Sequence, residues 1–213
     1  MVTIRLSKTV SANDIKDQRI IGNSLPRYTY SIRLNAEWNG FDFSVFFQGV
    51  GKQDWYPSSD AYAFWGPYSA PAPSFIPKDF LADIWSVDNP NAYFPRPRGY
   101  IAWNDGRSLS SVNNRYLQSL AYCRLKNLTV GYTLPAKWLS KINVQKARLY
   151  FSGENLLTLD RLDTDYIDPE AAAAGTSWKT GRTSALAYPF SKTYSFAVSY
   201  THLRAHETGR NLV

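Results

Sequence analysis

The chain has 213 residues, of which 15% are aromatic and only 19% charged, with a formal net charge of +7. Its basic residues are scattered rather than clustered, which excludes a nucleic-acid patch, and its single cysteine, Cys123, excludes an internal disulfide and a zinc site built on cysteine pairs. No apolar run reaches the roughly 18 residues of a transmembrane helix, so any membrane crossing would have to use strands.

The first segment, 1–26, has no periodic pattern and reads as a loop. From Met1 to Val10 there is no apolar stretch followed by a small-residue cleavage site, which for an exported protein implies an N-terminus further upstream. Strand-like alternation begins at Tyr28. Tyr28, Tyr30, Ile32, Leu34, Ala36 and Trp38 share one face, and Thr29, Ser31, Arg33, Asn35 and Glu37 the other. Asn39-Gly40 follows, a pair that tolerates positive φ at both positions of a type I′ hairpin turn. A second strand from 41 to 51 puts Phe41, Phe43, Val45 and Phe47 opposite Asp42, Ser44 and Gln48.

A long stretch, 52–119, separates this hairpin from a third strand over 120–134. There Leu128, Val130, Tyr132 and Leu134 lie on one parity while Cys123 and Leu125 lie on the other. The phase slip predicts a β-bulge near Lys126-Asn127. Pro135 ends the strand, a turn over 135–143 leads to a fourth strand over 146–157, and a second long loop covers 158–189. The fifth strand, 190–200, sets Tyr194, Phe196, Val198 and Tyr200 against Thr193, Ser195 and Ser199.

The strands run to about ten residues or more, against a globular mean of about five or six, and ten tilted residues are what a bilayer crossing requires. Connections alternate short and long, so both long loops fall at one end. Together with one polar and one apolar face per strand, this predicts an all-β fold: a fragment of an antiparallel up-and-down transmembrane barrel, about five strands over 27–200 with loops 52–119 and 158–189. Aromatic residues near strand ends (Tyr28, Trp38, Phe41, Tyr132, Tyr188, Tyr200) fit interfacial girdles. The alternative is a soluble β-sandwich that binds carbohydrate through aromatic loops.

Five stretches resemble the C-terminal barrel of SusC/RagA-type TonB-dependent transporters, in the family's order. They are Asp17-Gln18-Arg19-Ile20-Ile21-Gly22-Asn23, Gly40-Phe41-Asp42-Phe43-Ser44-Val45-Phe46-Phe47-Gln48-Gly49, and Arg124-Leu125-Lys126-Asn127-Leu128-Thr129-Val130-Gly131-Tyr132-Thr133-Leu134-Pro135. Gly153-Glu154-Asn155-Leu156-Leu157 with Asp168-Pro169-Glu170, and Tyr188-Pro189-Phe190-Ser191-Lys192-Thr193-Tyr194, complete the set. The resemblance implies an outer-membrane location and import of glycans or peptides. It also implies several partners: an N-terminal barrel portion and plug of the same protein, a SusD-like surface lipoprotein, and the TonB complex reached through that N-terminal part. It further implies that Asn39-Gly40 and the 135–143 turn are periplasmic and the two long loops extracellular. Both ends depart from the family. Met1 to Thr9 lacks its Asp/Asn/Gly-rich stretch, and 201–213 reads as a non-native tail in place of a strand-final aromatic.

No catalytic constellation is expected, and no cofactor. Both histidines, His202 and His206, lie in or beside the tail, four apart without the glutamate of a zincin motif. Cys123 has no histidine partner in its strand. Asp160, Asp163, Asp165, Asp168 and Glu170 lack EF-hand spacing and read as a solvated loop rather than a metal site. In loop 52–119, Trp55, Trp65, Trp85 and Trp103 stand among eight prolines. Such rings could stack on sugars, pack the loop or dock a lipoprotein lid, and all four are candidate ligand contacts.

Overall fold

A computed structural model describes residues 2–5, 18–68, 76, 78–97, 109, 112–140, 144–164, 167–175, 182–183, 185, 188 and 190–202. Nine strands occur among them: β1 (Val2–Arg5), β2 (Gln18–Gly22), β3 (Tyr28–Trp38), β4 (Phe41–Lys52), β5 (Asp54–Pro57), β6 (Gln118–Thr133), β7 (Val144–Arg161), β8 (Arg182–Thr183) and β9 (Thr193–His202). Three short helices join them: α1 (Tyr62–Trp65), α2 (Ala136–Leu139) and α3 (Pro169–Gly175). None of the described helices is long and apolar enough to cross a membrane.

All five expected strands are present as β3, β4, β6, β7 and β9. They pair in the order β3-β4-β6-β7-β9, an all-β sheet of long strands in which β7 and β9 are antiparallel, from Val144↔His202 to Glu154↔Thr193. Asn39 (φ 49°) and Gly40 (φ 85°) both occupy the left-handed region, as a type I′ turn demands. A Cβ on Gly40 would also come within 3.1 Å of the Thr133 carbonyl oxygen. In β6 the burial pattern changes parity between Arg124 and Gly131. Buried positions run on even numbers from Gln118 to Arg124, but the next buried residue is Gly131. A register shift between Val144 and Lys146 in β7 was not legible from alternation, because Gln145 looks like any polar strand residue.

Several expectations need correction. β7 extends to 18 residues, Val144–Arg161, beyond the expected 146–157, while β6 begins at Gln118 rather than 120 and ends at Thr133 rather than 134. β9 starts at Thr193 rather than 190, the Pro189-Phe190 pair preceding the ladder, and it runs on through Thr201 and His202. The 1–26 segment is not all loop. β1 pairs antiparallel with β2, where β-branched residues such as Ile20 and Ile21 favour extended backbone. The remainder of the proposed tail, 203–213, lies outside the described residues.

Two compact units divide the chain. Unit 1 comprises Met1–Tyr30, Gly49–Cys123 and Leu159–Phe190, and unit 2 comprises Ser31–Gln48, Arg124–Thr158 and Ser191–Val213. Unit 1 is where the long loops lie, and they are not structureless. β5 pairs antiparallel with β6 (Asp54↔Ser119) and parallel with β8 (Tyr56↔Arg182), and the loops share one aromatic core. Trp55, Tyr56, Phe64, Trp65, Tyr68, Phe80, Phe94 and Tyr116 build it, joined from the second loop by Ile167, Ala172 and Ala185. Edge-on and stacked pairs recur throughout, for example Phe64–Trp65 at 4.8 Å and 86° and Phe94–Tyr116 at 5.9 Å and 11°. Indole and phenol groups in this core still find partners. The Trp65 indole N–H donates to the Ser58 carbonyl (3.0 Å) and the Tyr93 hydroxyl to the Arg115 carbonyl (3.0 Å). Burial raises the pKa of the Tyr68, Tyr93 and Tyr116 phenols, in Tyr93 with the Asp163 carboxylate adding to it.

Among its described residues, unit 2 has no such core. Its strands present one apolar and one polar face, and large apolar side chains stand in the open: Trp38 at 78% exposure and Phe196 at 83%, with Leu34, Phe41, Leu149 and Val198 also exposed. Across β7 and β9 these residues are direct neighbours, Leu149↔Val198 and Phe151↔Phe196, the latter ring pair at 5.0 Å. Phe41 and Tyr132 continue the same surface at 4.5 Å. Water does not tolerate so large a contiguous apolar face on a soluble monomer, whereas lipid covers it without cost.

Candidate functional site

The polar face of unit 2 is built around one ion pair. Arg148 on β7 donates from Nε to Asp42 Oδ1 on β4 at 2.8 Å, and its second nitrogen pairs with Asp42 Oδ2. β4 and β7 are not neighbours, since β6 lies between them. The pair can bridge over β6 only because residue 131 has no side chain. A Cβ there would collide with Asp42 Oδ1 and with the Arg148 guanidinium. The Arg148 guanidinium also lies 4.6 Å from the Tyr150 ring, and Arg33 lies 5.1 Å from the Phe46 ring on the same polar side. Ser44 donates to Asn35 Oδ1 at 2.8 Å. Glu37, Asp42, Thr133, Lys146 and Arg148 line a polar recess of about 520 Å³ beside the Asn39-Gly40 turn. Deeper in the sheet Arg124, only 2% exposed, donates from Nε to Thr158 Oγ1 at 2.9 Å. Such a face, hydrated and charged, suits a barrel lumen.

Bridging over a glycine makes the pair sensitive to one substitution. Gly131→Val is expected to break it and lower the unfolding midpoint of the detergent-solubilised protein by an amount equivalent to roughly 1–3 kcal/mol, whereas Asp42→Asn keeps the packing and costs less. Equal melting of Gly131→Val and wild type would show that the bridge does not stabilise the wall.

In unit 1 the four tryptophans singled out from the sequence separate. Trp55 and Trp65 are 0% exposed and serve the aromatic core, so in this structure neither offers a ring face to a ligand. Composition cannot tell a core tryptophan from a displayed one. The signal that could have done so is the density of Tyr and Phe at short spacings around Trp65, which gives an indole apolar walls to pack against. Trp85 is half-buried, its backbone N–H held by the Phe94 carbonyl at 2.9 Å. Trp103 lies outside the described residues.

The acidic run is likewise engaged in structure. Asp160 Oδ1 accepts from the Leu162 N–H (3.2 Å), and Asp168 Oδ1 caps α3 by accepting from Glu170 and Ala171 N–H at 3.0 and 3.1 Å. Gln118 clamps Asp163, donating to its carboxylate at 3.1 Å and accepting from its backbone N–H at 3.0 Å. Sequence reasoning missed Gln118, a 2% exposed residue whose amide also donates to the Tyr93 hydroxyl at 2.9 Å. Asp165 lies outside the described residues. Cys123 is half-buried in β6, within the strand where alternation put it.

Comparison with known proteins shows what the chain resembles. No family model matches the chain. A protein named TonB-dependent receptor P3, from Formosa agariphila, is 36% identical over 158 residues, covering 73% of this chain and 14% of that protein. TonB-dependent receptor P26 of the same organism is 27% identical over 161 residues, 75% of this chain and 15% of its own length. The chain thus spans about a seventh of the curated relatives it matches. Among solved structures, the RagAB peptide importer in its closed-closed state aligns with a TM-score of 0.59 at 21% identity, over 91% of this chain and 19% of that one. The open-open state aligns at 0.57 with the same identity and coverage.

Proposed function

The chain is a segment of a SusC/RagA-type TonB-dependent receptor, and on that premise we propose that it forms part of the outer-membrane barrel through which such a receptor imports peptides or glycans. The observation that carries the reading is the two-faced sheet of unit 2: bare Leu149, Phe196 and Val198 on one side, and the Asp42–Arg148 pair on the other. A strand rising about 3.3 Å per residue at a tilt of about 40° covers a band of roughly 25 Å in ten residues, and β9 has ten. In such a receptor the apolar face meets lipid and the polar face lines the passage. The soluble-sandwich alternative leaves the apolar face of β9 without a second sheet to cover it.

The partners follow from the same reading: a plug and further strands from the rest of the receptor, a TonB complex as energy source, and a SusD-like lipoprotein as lid over the extracellular loops. The proposed role is transport rather than catalysis, in line with the receptor and importer names of the proteins it resembles. Among the described candidate rings we take Trp85, which is half-buried, as the proposed ligand contact. The test is uptake by cells carrying the full-length receptor, offered labelled oligopeptides and labelled oligosaccharides in parallel. Loss of uptake of one class on deletion of the receptor gene, restored by wild-type receptor, supports the reading and identifies the cargo. Unchanged uptake of both classes contradicts it. A Trp85→Ala receptor with normal uptake would remove that ring as a contact.

A further inference from the structure

At the root of loop 52–119, where β4 passes into β5, the segment that follows β2 arches over Gln53. Two main-chain hydrogen bonds fix the feet of the arch: the Asp54 N–H donates to the Asn23 carbonyl and the Arg27 N–H to the Lys52 carbonyl, both at 2.8 Å. Between them Ser24, Leu25 and Pro26 stand opposite the single residue Gln53, so the surplus chain bows outward. Gln53 is held from two sides. Its main-chain carbonyl accepts from the Leu120 N–H of β6 at 2.8 Å, and its side-chain Nε2 donates to the Ser24 carbonyl at 2.9 Å.

Two side-chain oxygens of this contact have no partner. Ser24 Oγ and Gln53 Oε1 belong to residues that are each 2% exposed, and neither atom makes a hydrogen bond. The arch itself cannot serve them. The Leu25 N–H is taken by Asn23 Oδ1 at 3.0 Å, the Arg27 N–H by the Lys52 carbonyl, and Pro26 has no N–H to give. The neighbouring carboxylate, Asp54, turns Oδ2 to the Asn23 N–H at 2.8 Å. Buried oxygens without partners are costly, and two of them on residues already in contact call for one small guest that can both donate and accept. Water meets that demand. A metal ion would be enclosed by the neutral oxygens of Ser24 and Gln53, and no cluster of three or more His, Cys, Asp or Glu suited to a metal occurs among the described residues.

We propose that one buried water molecule is bound beneath the arch, donating to Gln53 Oε1 and bridging to Ser24 Oγ, and that it pins the segment before β3 to the root of the loop. The inference stands independently of the transport reading. The first test is Ser24→Ala in the full-length receptor in detergent, with hydrogen–deuterium exchange of 19–27 and 50–57 read by mass spectrometry. A hydroxyl that anchors a water stabilises the arch, so the variant is expected to exchange about five-fold faster in both segments. A hydroxyl buried without a partner destabilises the arch, so unchanged or slower exchange overturns the proposal. The second test is a density map of the wild-type receptor at a resolution that shows ordered solvent. A solvent peak within about 3 Å of both oxygens is the expected result. Absence of a peak, with Ser24 Oγ and Gln53 Oε1 bonded directly to each other or to other protein groups, overturns the site. A peak with six or more oxygen ligands at about 2.3–2.6 Å overturns water in favour of a cation.

Discussion

Trp65→Ala in the full-length receptor is expected to destabilise unit 1 by roughly 3–5 kcal/mol, the usual cost of truncating a fully buried large aromatic side chain. Trp65 packs against Tyr56 (6.1 Å), Phe64 (4.8 Å), Phe94 (6.3 Å) and Tyr116 (5.2 Å), so its removal opens a cavity lined on several sides by rigid rings. Its indole N–H also satisfies the Ser58 carbonyl, which the substitution leaves without that donor. Because the core draws residues from both long loops, their order should fail together. On intact cells, added protease is expected to cut within 52–119 and within 158–189 of the variant, while the wild-type loops resist. Trp65→Phe, which keeps part of the packing, should be intermediate. A variant as protease-resistant as wild type would show that this cluster does not hold the loops.

The second large effect separates the two faces of β9. Phe196→Arg places a charge on the apolar face near the middle of the strand, where lipid-facing arginine costs about 2–4 kcal/mol. Ser195→Arg, one residue earlier, places the same charge on the polar face, where it stays hydrated. The register supports this split: Phe196 pairs with Phe151 and Ser195 with Ser152. Folding titrations into detergent or vesicles are expected to show Phe196→Arg clearly destabilised and Ser195→Arg within about 1 kcal/mol of wild type. Equal costs would mean that both faces see the same medium, as in a solvated sheet.

Period-two alternation was enough to read β3 and β4 to within a residue, because Asn39-Gly40 pins their register and every second residue is apolar. The change of parity in β6 was also readable, since Cys123 and Leu125 contradict the parity of Leu128 and Val130. What alternation could not give is the reach of β6 and β7 beyond the apolar band. There, residues such as Gln118 answer to hydrogen bonding inside unit 1 and not to lipid. The same limit hid the loop core. Aromatic richness shows that a segment will pack or bind, but whether Trp65 is buried depends on Phe94 and Tyr116, far away in sequence and brought near only by the fold. The Asp42–Arg148 bridge was illegible for a related reason: its partners lie on non-adjacent strands, and the residue that permits it, Gly131, looks in sequence like an unremarked strand glycine.

The central claim, that one face of this sheet meets lipid and the other water, is tested most directly by nitroxide scanning of consecutive positions from Tyr194 to Ser199 in the full-length receptor reconstituted in vesicles. Collision with oxygen, which concentrates in lipid, is predicted to peak at Tyr194, Phe196 and Val198. Collision with a water-soluble nickel chelate should peak at Ser195, Ala197 and Ser199. Two oscillations of period two, in opposite phase, are the expected result. Accessibility to the nickel chelate at all six positions, without alternation, would contradict the account.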